Sequence, residues 1–153
     1  MNKEAELAKV EMRVEDDEGN VEVETPWVTP LGNNRYRLEN SPFYAYNVSW
    51  EDIIEAVKED TDGFPVFTKV LEKSGNRTVR VIFDPPVEEG NESQKVLNGL
   101  VELGCSYEGA NRSYVVINIP KNIELMEIRD YLISKEVQWE HADPSYSELF
   151  PNE

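Results

Sequence analysis

Two β-branched runs, each closed by proline, constrain this chain more than any other feature. Thr78–Asp84 runs into Pro85-Pro86, and Ser113–Ile119 runs into Pro120. Val, Ile, Thr and aromatic side chains fit a pleated sheet, whereas proline, lacking an N–H, ends a ladder. Between the runs the period changes from two to that of a helix. Val96, Leu97, Leu100 and Val101 share one helix face across Ser93–Leu103, and Gly104 is placed to terminate it. Tyr107–Ala110 reads as a short strand turning at Asn111-Arg112 into the second run. Beyond Pro120, Leu125, Ile128 and Leu132 mark a second helix, and Val137–His141 a last strand. The predicted order is β-α-β-β-α-β.

That order matches the ferredoxin-like split βαβ arrangement, which places both helices on one face of a four-stranded antiparallel sheet. Val79–Phe83 and Tyr114–Asn118 are its expected central pair. The first half has a different texture. Ala8–Asp16 and Val21–Val28 alternate in part around the turn Asp17-Glu18-Gly19-Asn20, and Arg35–Glu39 follows a turn at Gly32-Asn33-Asn34. Ser49-Trp50-Glu51-Asp52 resembles a capping box, and Ile53, Ile54 and Val57 supply an apolar stripe, so a helix is expected from Ser49 to near Asp60. Phe64–Glu72 reads as one more strand. The fold class is therefore α+β. Residues 1–74 are expected to form a small β-rich subdomain, an antiparallel sheet or partly closed barrel with one helix. Residues 75–153 are expected to form the ferredoxin-like subdomain and a tail, whose Tyr146, Leu149 and Phe150 favour packing over exposure.

Segments of this chain resemble a bacterial family known only as domain of unknown function 4265. The resemblance rests on Tyr36-Arg37-Leu38-Glu39-Asn40-Ser41-Pro42-Phe43, Val48–Ile54, Ser74–Arg80, and Leu103-Gly104-Cys105 leading into Tyr107-Glu108-Gly109. It spans most of the chain and implies no activity. At the level of fold alone, the second half is similar to acidic ferredoxin-like inhibitor proteins that bind ribonucleases, an analogy without residue roles.

Charge bears on partners. Against 31 acidic residues stand 15 basic ones, a net charge of -16, split -9 over residues 1–76 and -7 over 77–153. Such a surface repels phosphate backbones and anionic lipid, so nucleic acid and membrane surfaces are not expected partners. Met1–Lys9 has no apolar h-region and no 18-residue apolar run occurs, which reads as cytoplasmic. One cysteine and one histidine are too few for a structural zinc site, and the acidic runs lack calcium-loop spacing, so neither metal nor cofactor is expected.

The chemistry-bearing residues are sparse. His141 near Asp143 has the makings of a general base, but no nucleophile motif accompanies it, and Cys105 follows a helix C-terminus, where the dipole disfavours a thiolate. Packing is the better account of both, and the chain reads as non-catalytic. Phe43, Tyr44 and Tyr46 crowd an irregular stretch; they either fold back onto the core or form an aromatic contact surface. Arg35, Arg37, Arg77 and Arg80 are a local basic group whose ordinary use is to pair with neighbouring acids. Glu15, Asp16, Asp17 and Glu18 form the densest acidic run.

Two functions follow as expectations. The first is an acidic protein-binding module that docks on and neutralises a basic protein partner such as a nuclease or toxin. The second is a regulatory domain holding a small ligand in the second half, anchored by Arg77, Arg80 and Arg112.

Overall fold

The computed structural model describes residues 6–152, so the first five residues of the Met1–Lys9 segment lie outside the described residues. The protein is α+β, with mostly antiparallel sheets and three helices among the described residues. It divides into two compact units, Met1–Ser74 and Gly75–Glu153.

The first unit is built from β1 (Ala8–Lys9), β2 (Met12–Glu15), β3 (Val21–Glu24), β4 (Trp27–Gly32), β5 (Arg35–Leu38), β6 (Ile53–Val57) and β7 (Val66–Glu72). Five of them form an antiparallel sheet in the order β1-β4-β5-β6-β7, while β2 and β3 pair as a separate hairpin. The stretch joining β1 to β2 reaches the far edge of that sheet. Glu11 N–H donates to the Pro65 carbonyl at 2.8 Å, and Phe67 N–H donates to the Glu11 carbonyl at 2.9 Å. Since β1 itself pairs with β4, one N-terminal segment bridges both edges and closes the sheet around Val10, Met12, Val28, Leu38, Ile54 and Ala56. Asn33 and Asn34, at φ 57° and 62°, turn β4 into β5, a conformation asparagine tolerates better than other L residues.

Besides the single strand over Ala8–Asp16, which is divided into β1 on the larger sheet and β2 on the hairpin, two sequence expectations fail here. The predicted helix from Ser49 to Asp60 is a tight turn followed by β6. The capping-box residues do bond to one another, since Ser49 N–H donates to Asp52 Oδ2 at 2.9 Å and Asp52 N–H to the Ser49 carbonyl at 3.1 Å. With Glu51 at φ 68°, however, these bonds close a turn and the chain leaves it extended. Ile54 and Ala56 then point into the core at alternate positions. The extra residues of the bulges opposite Ile53/Ile54 and Glu55/Ala56 lie in β7, so β6 keeps its period of two. The second failure is the single strand over Val21–Val28. Pro26 divides it, so Val21–Glu24 pairs with β2 and Trp27–Gly32 joins the larger sheet.

The second unit contains β8 (Arg77–Ile82), α1 (Glu92–Glu102), β9 (Ser106–Gly109), β10 (Tyr114–Ile119), α2 (Leu125–Ser134), β11 (Gln138–Asp143) and the short α3 (Tyr146–Leu149). Its sheet runs β11-β8-β10-β9, every neighbouring pair antiparallel, with β8 and β10 in the centre. Val79, Val81, Val115, Ile117 and Ile119 share a core with Val96, Leu97 and Leu100 of α1 and Ile128 and Leu132 of α2. Full burial of each such aliphatic side chain contributes about 2 kcal/mol. Asn91 caps α1, its side-chain oxygen accepting from Gln94 N–H at 2.9 Å. The helices approach closely at Gly99, beside the Tyr131 hydroxyl, which donates to the Val96 carbonyl at 2.9 Å. The tail is packed: Tyr146 and Phe150 lie with ring centroids 4.8 Å apart, each 6.4 Å from the His141 ring.

Candidate functional site

The acidic run Glu15–Glu18 forms the tip of the β2–β3 hairpin. Gly19, at φ 83°, gives the turn its left-handed residue, and its N–H donates to the Asp16 carbonyl at 3.1 Å. Asp16 serves the turn as well, its Oδ1 accepting from Glu18 N–H and Asn20 N–H, both at 2.9 Å. These backbone donors, Asn20 foremost, hold its carboxyl below the ordinary aspartate range. Glu15, Asp17 and Glu18 are exposed beside it. Along the hairpin the register pairs Val23 with Arg13 and Val21 with Glu15. The opposite face carries Met12 and Val14 into the core, so Val21 and Val23 stand outward, 56% and 50% exposed.

The aromatic stretch is organised by a residue the sequence reading passed over. The Glu24 carboxylate accepts from the backbone N–H groups of Phe43 at 2.7 Å, Tyr44 at 2.7 Å and Ala45 at 2.9 Å. Ala45 enters the core, Phe43 is half-buried, and Tyr44 and Tyr46 are exposed. Asp52 was likewise read only as a helix cap. It is fully buried and accepts from Ser49 N–H at 2.9 Å, Ser74 N–H at 2.7 Å and Lys73 Nζ at 2.6 Å. The sequence marks neither position: Asp52 directly follows the exposed Glu51, and Glu24 repeats the setting of the exposed Glu22.

The arginines do not converge. Arg77 donates to the Pro120 carbonyl at 2.7 Å and to the Ile123 carbonyl, pinning the loop before α2. Arg80, three residues along β8, emerges on the other sheet face. It is only 2% exposed and lies 3.4 Å from a Glu140 carboxylate oxygen. Arg112 is exposed in the β9–β10 turn, where its carbonyl accepts from Val87 N–H at 2.8 Å. In the first unit Arg37 pairs with Glu39 at 3.0 Å, and Arg35 is exposed. The expected trio Arg77, Arg80 and Arg112 is therefore not brought together, and of the three only Arg80 borders a depression. Arg80 lines a depression of about 100 Å³ with Ile82, Tyr114, Gln138, Trp139 and Glu140. A larger cleft of about 320 Å³ lies between the start of α1 and the end of α2, with Asp84, Glu92, Lys135 and Glu136 among its polar lining.

His141 is 6% exposed and packs edge-on against Trp139, ring centroids 4.7 Å apart, with its Nδ1 buried and without a hydrogen-bond partner. Burial first, and then Arg129, pull its basicity below the ordinary histidine range. Burial likewise pushes the Cys105 thiol up to about 11. Neither group is arranged for proton transfer to a nucleophile or for thiolate attack. Among the described residues no three His, Cys, Asp or Glu side chains gather as metal ligands, and no helix is long and apolar enough to cross a membrane.

A family model described as a domain of unknown function, DUF4265, matches residues 24–142. The fold is similar to the crystal structure of a hypothetical protein from Neisseria gonorrhoeae, with a TM-score of 0.77 at 17% identity over 95% of this chain and 100% of the other. None of the curated proteins matches.

Proposed function

The chain belongs to the DUF4265 family of unknown function, and from that premise we propose that it is a non-catalytic acidic module that docks on a basic protein partner, as an inhibitor or immunity-type protein does. One observation carries the reading: many of the cations are engaged by partners within the molecule. Arg13 is held by Glu11 and Glu59, Arg37 by Glu39, Lys73 by Asp52, Arg77 by two carbonyls, and Arg80 by Glu140. Lys9, Arg129 and Lys135 lie over aromatic rings. The outward field is consequently that of the exposed carboxylates, which steers a cationic partner and repels an anionic one. For the second unit, the element order β-α-β-β-α-β and sheet order β11-β8-β10-β9 support a ferredoxin-like reading.

Immobilised protein presented with a lysate of its source organism at low salt is expected to retain basic proteins and release them as salt is raised. Recovery of no basic protein under either condition overturns the reading. The depression at Arg80 favours a second reading, a small-ligand regulatory domain, in which that guanidinium anchors a ligand anion. A thermal-shift screen with metabolites separates the two, because a specific ligand raises the melting temperature by mass action whereas charge complementarity to a protein does not.

A further inference from the structure

We propose that the outer edge of β3 is where the basic partner docks, by adding one of its own strands in which cationic and apolar side chains alternate. The inference rests on the acidic-module reading above. Asp16 N–H donates to the Asn20 carbonyl at 2.8 Å, which makes those two residues a hydrogen-bonded pair of the ladder. Pairs alternate along an antiparallel ribbon, so the backbone groups of Glu22 and Glu24 face β2, and those of Val21 and Val23 face away from it. Among the described residues no strand pairs with that edge. It offers two donors, two acceptors and two half-exposed valines on one face, a template for β-augmentation.

The occupant follows from charge. Residues 11–24 hold seven carboxylates against Arg13 alone, a net charge of -6, and Arg13 is occupied by Glu11 and Glu59. A strand laid beside β3 with valine or isoleucine against Val21 and Val23 presents its alternate side chains on the face of Glu22, where Lys or Arg is matched and Asp or Glu is repelled. A second copy of this chain is the wrong occupant, because it would set two hairpins of net charge -6 edge to edge. The family match begins at Glu24, so all of the hairpin but its last residue lies before the segment it covers.

The test uses the full chain and two capped peptides of sequence Lys-Val-Lys-Val-Lys-Val, one of them N-methylated at the three amides of one edge. The unmodified peptide is expected to bind in a salt-sensitive manner, with amide shifts confined to residues 20–24 and new exchange protection at Val21 and Val23. The N-methylated peptide should bind at least about tenfold more weakly, the loss expected for two or so hydrogen bonds. Val23→Pro, which removes an outward N–H and no ladder bond, should weaken the unmodified peptide similarly and leave the remaining amide spectrum in place. Equal binding of both peptides overturns strand addition while leaving a basic partner intact. Shifts spread over other surfaces, or no binding at all, overturn the proposed edge, and the lysate experiment separately decides whether a basic partner exists.

Discussion

Asp52 accepts from two backbone N–H groups and the Lys73 ammonium, and it does so at full burial. Removing one partner from such a cluster leaves the others desolvated and unmet. Asp52→Ala is therefore expected to lower stability by about 3 kcal/mol, and Asp52→Asn by about half of that, because it keeps an acceptor for the backbone donors and loses the charge facing Lys73. Urea denaturation of the two variants checks the order; equal losses would mean that the acceptor kept by Asn contributes nothing and the charge carries the whole effect. His141 makes a prediction of the opposite electrostatic kind. Its folded basicity lies below the ordinary histidine value of 6.5, so between the two the unfolded chain binds the extra proton. Stability from this group is complete above about pH 7 and falls as the pH drops below 6.5 toward the folded value. Urea midpoints of the parent should fall from pH 7.5 to pH 5.5. His141→Phe, which keeps a ring between Trp139, Tyr146 and Phe150, should flatten that slope; an unchanged slope would assign it to carboxylates.

Elements differ in how far single residues determine them. Gly99 of α1 is a packing requirement, since a Cβ there would lie 2.0 Å from the Tyr131 hydroxyl oxygen and 2.8 Å from the ring carbon bearing it. Gly99→Ala should cost about 2 kcal/mol by overpacking, and adding Tyr131→Phe should recover part of it despite losing the bond to Val96. Additive losses in a double-mutant cycle would show that the helices simply move apart. The two central strands and α1 of the second unit were legible because their periods are long and end on a proline or glycine: Thr78–Asp84 anticipates Arg77–Ile82, and Ser93–Leu103 anticipates Glu92–Glu102. In the first unit β6 was misread, as the same Ser49 and Asp52 chemistry closes a turn as readily as it caps a helix, and the apolar Ile53 and Val57 on its outer face hide the strand period. The candidate site was legible only in part. Glu15–Glu18 was visible as charge, but the outward face of Val21 and Val23 depends on the hairpin register, and the burial of Arg80 depends on which sheet face it occupies. A composition count reports neither.

At the scale of the whole molecule, charge acts on folding and on association with opposite responses to salt. The two halves carry similar negative charge, and many of the cations are engaged internally, so carboxylates repel one another across surfaces that have few cations left to offset them. Raising the ionic strength from about 20 mM to about 300 mM shortens the screening length from roughly 20 Å to roughly 6 Å. That weakens the self-repulsion of the folded state while leaving buried contacts such as Asp52 with Lys73 largely unscreened. The melting temperature is therefore expected to rise over this range, and the affinity for a cationic partner to fall over the same range. The two measurements belong together on one preparation. A melting temperature that falls with salt would mean that surface ion pairs, such as Arg13 with Glu59 at 3.0 Å, outweigh the repulsion. A partner whose binding ignores salt while the fold responds would be held by apolar contact at Val21 and Val23, not by the carboxylates around them.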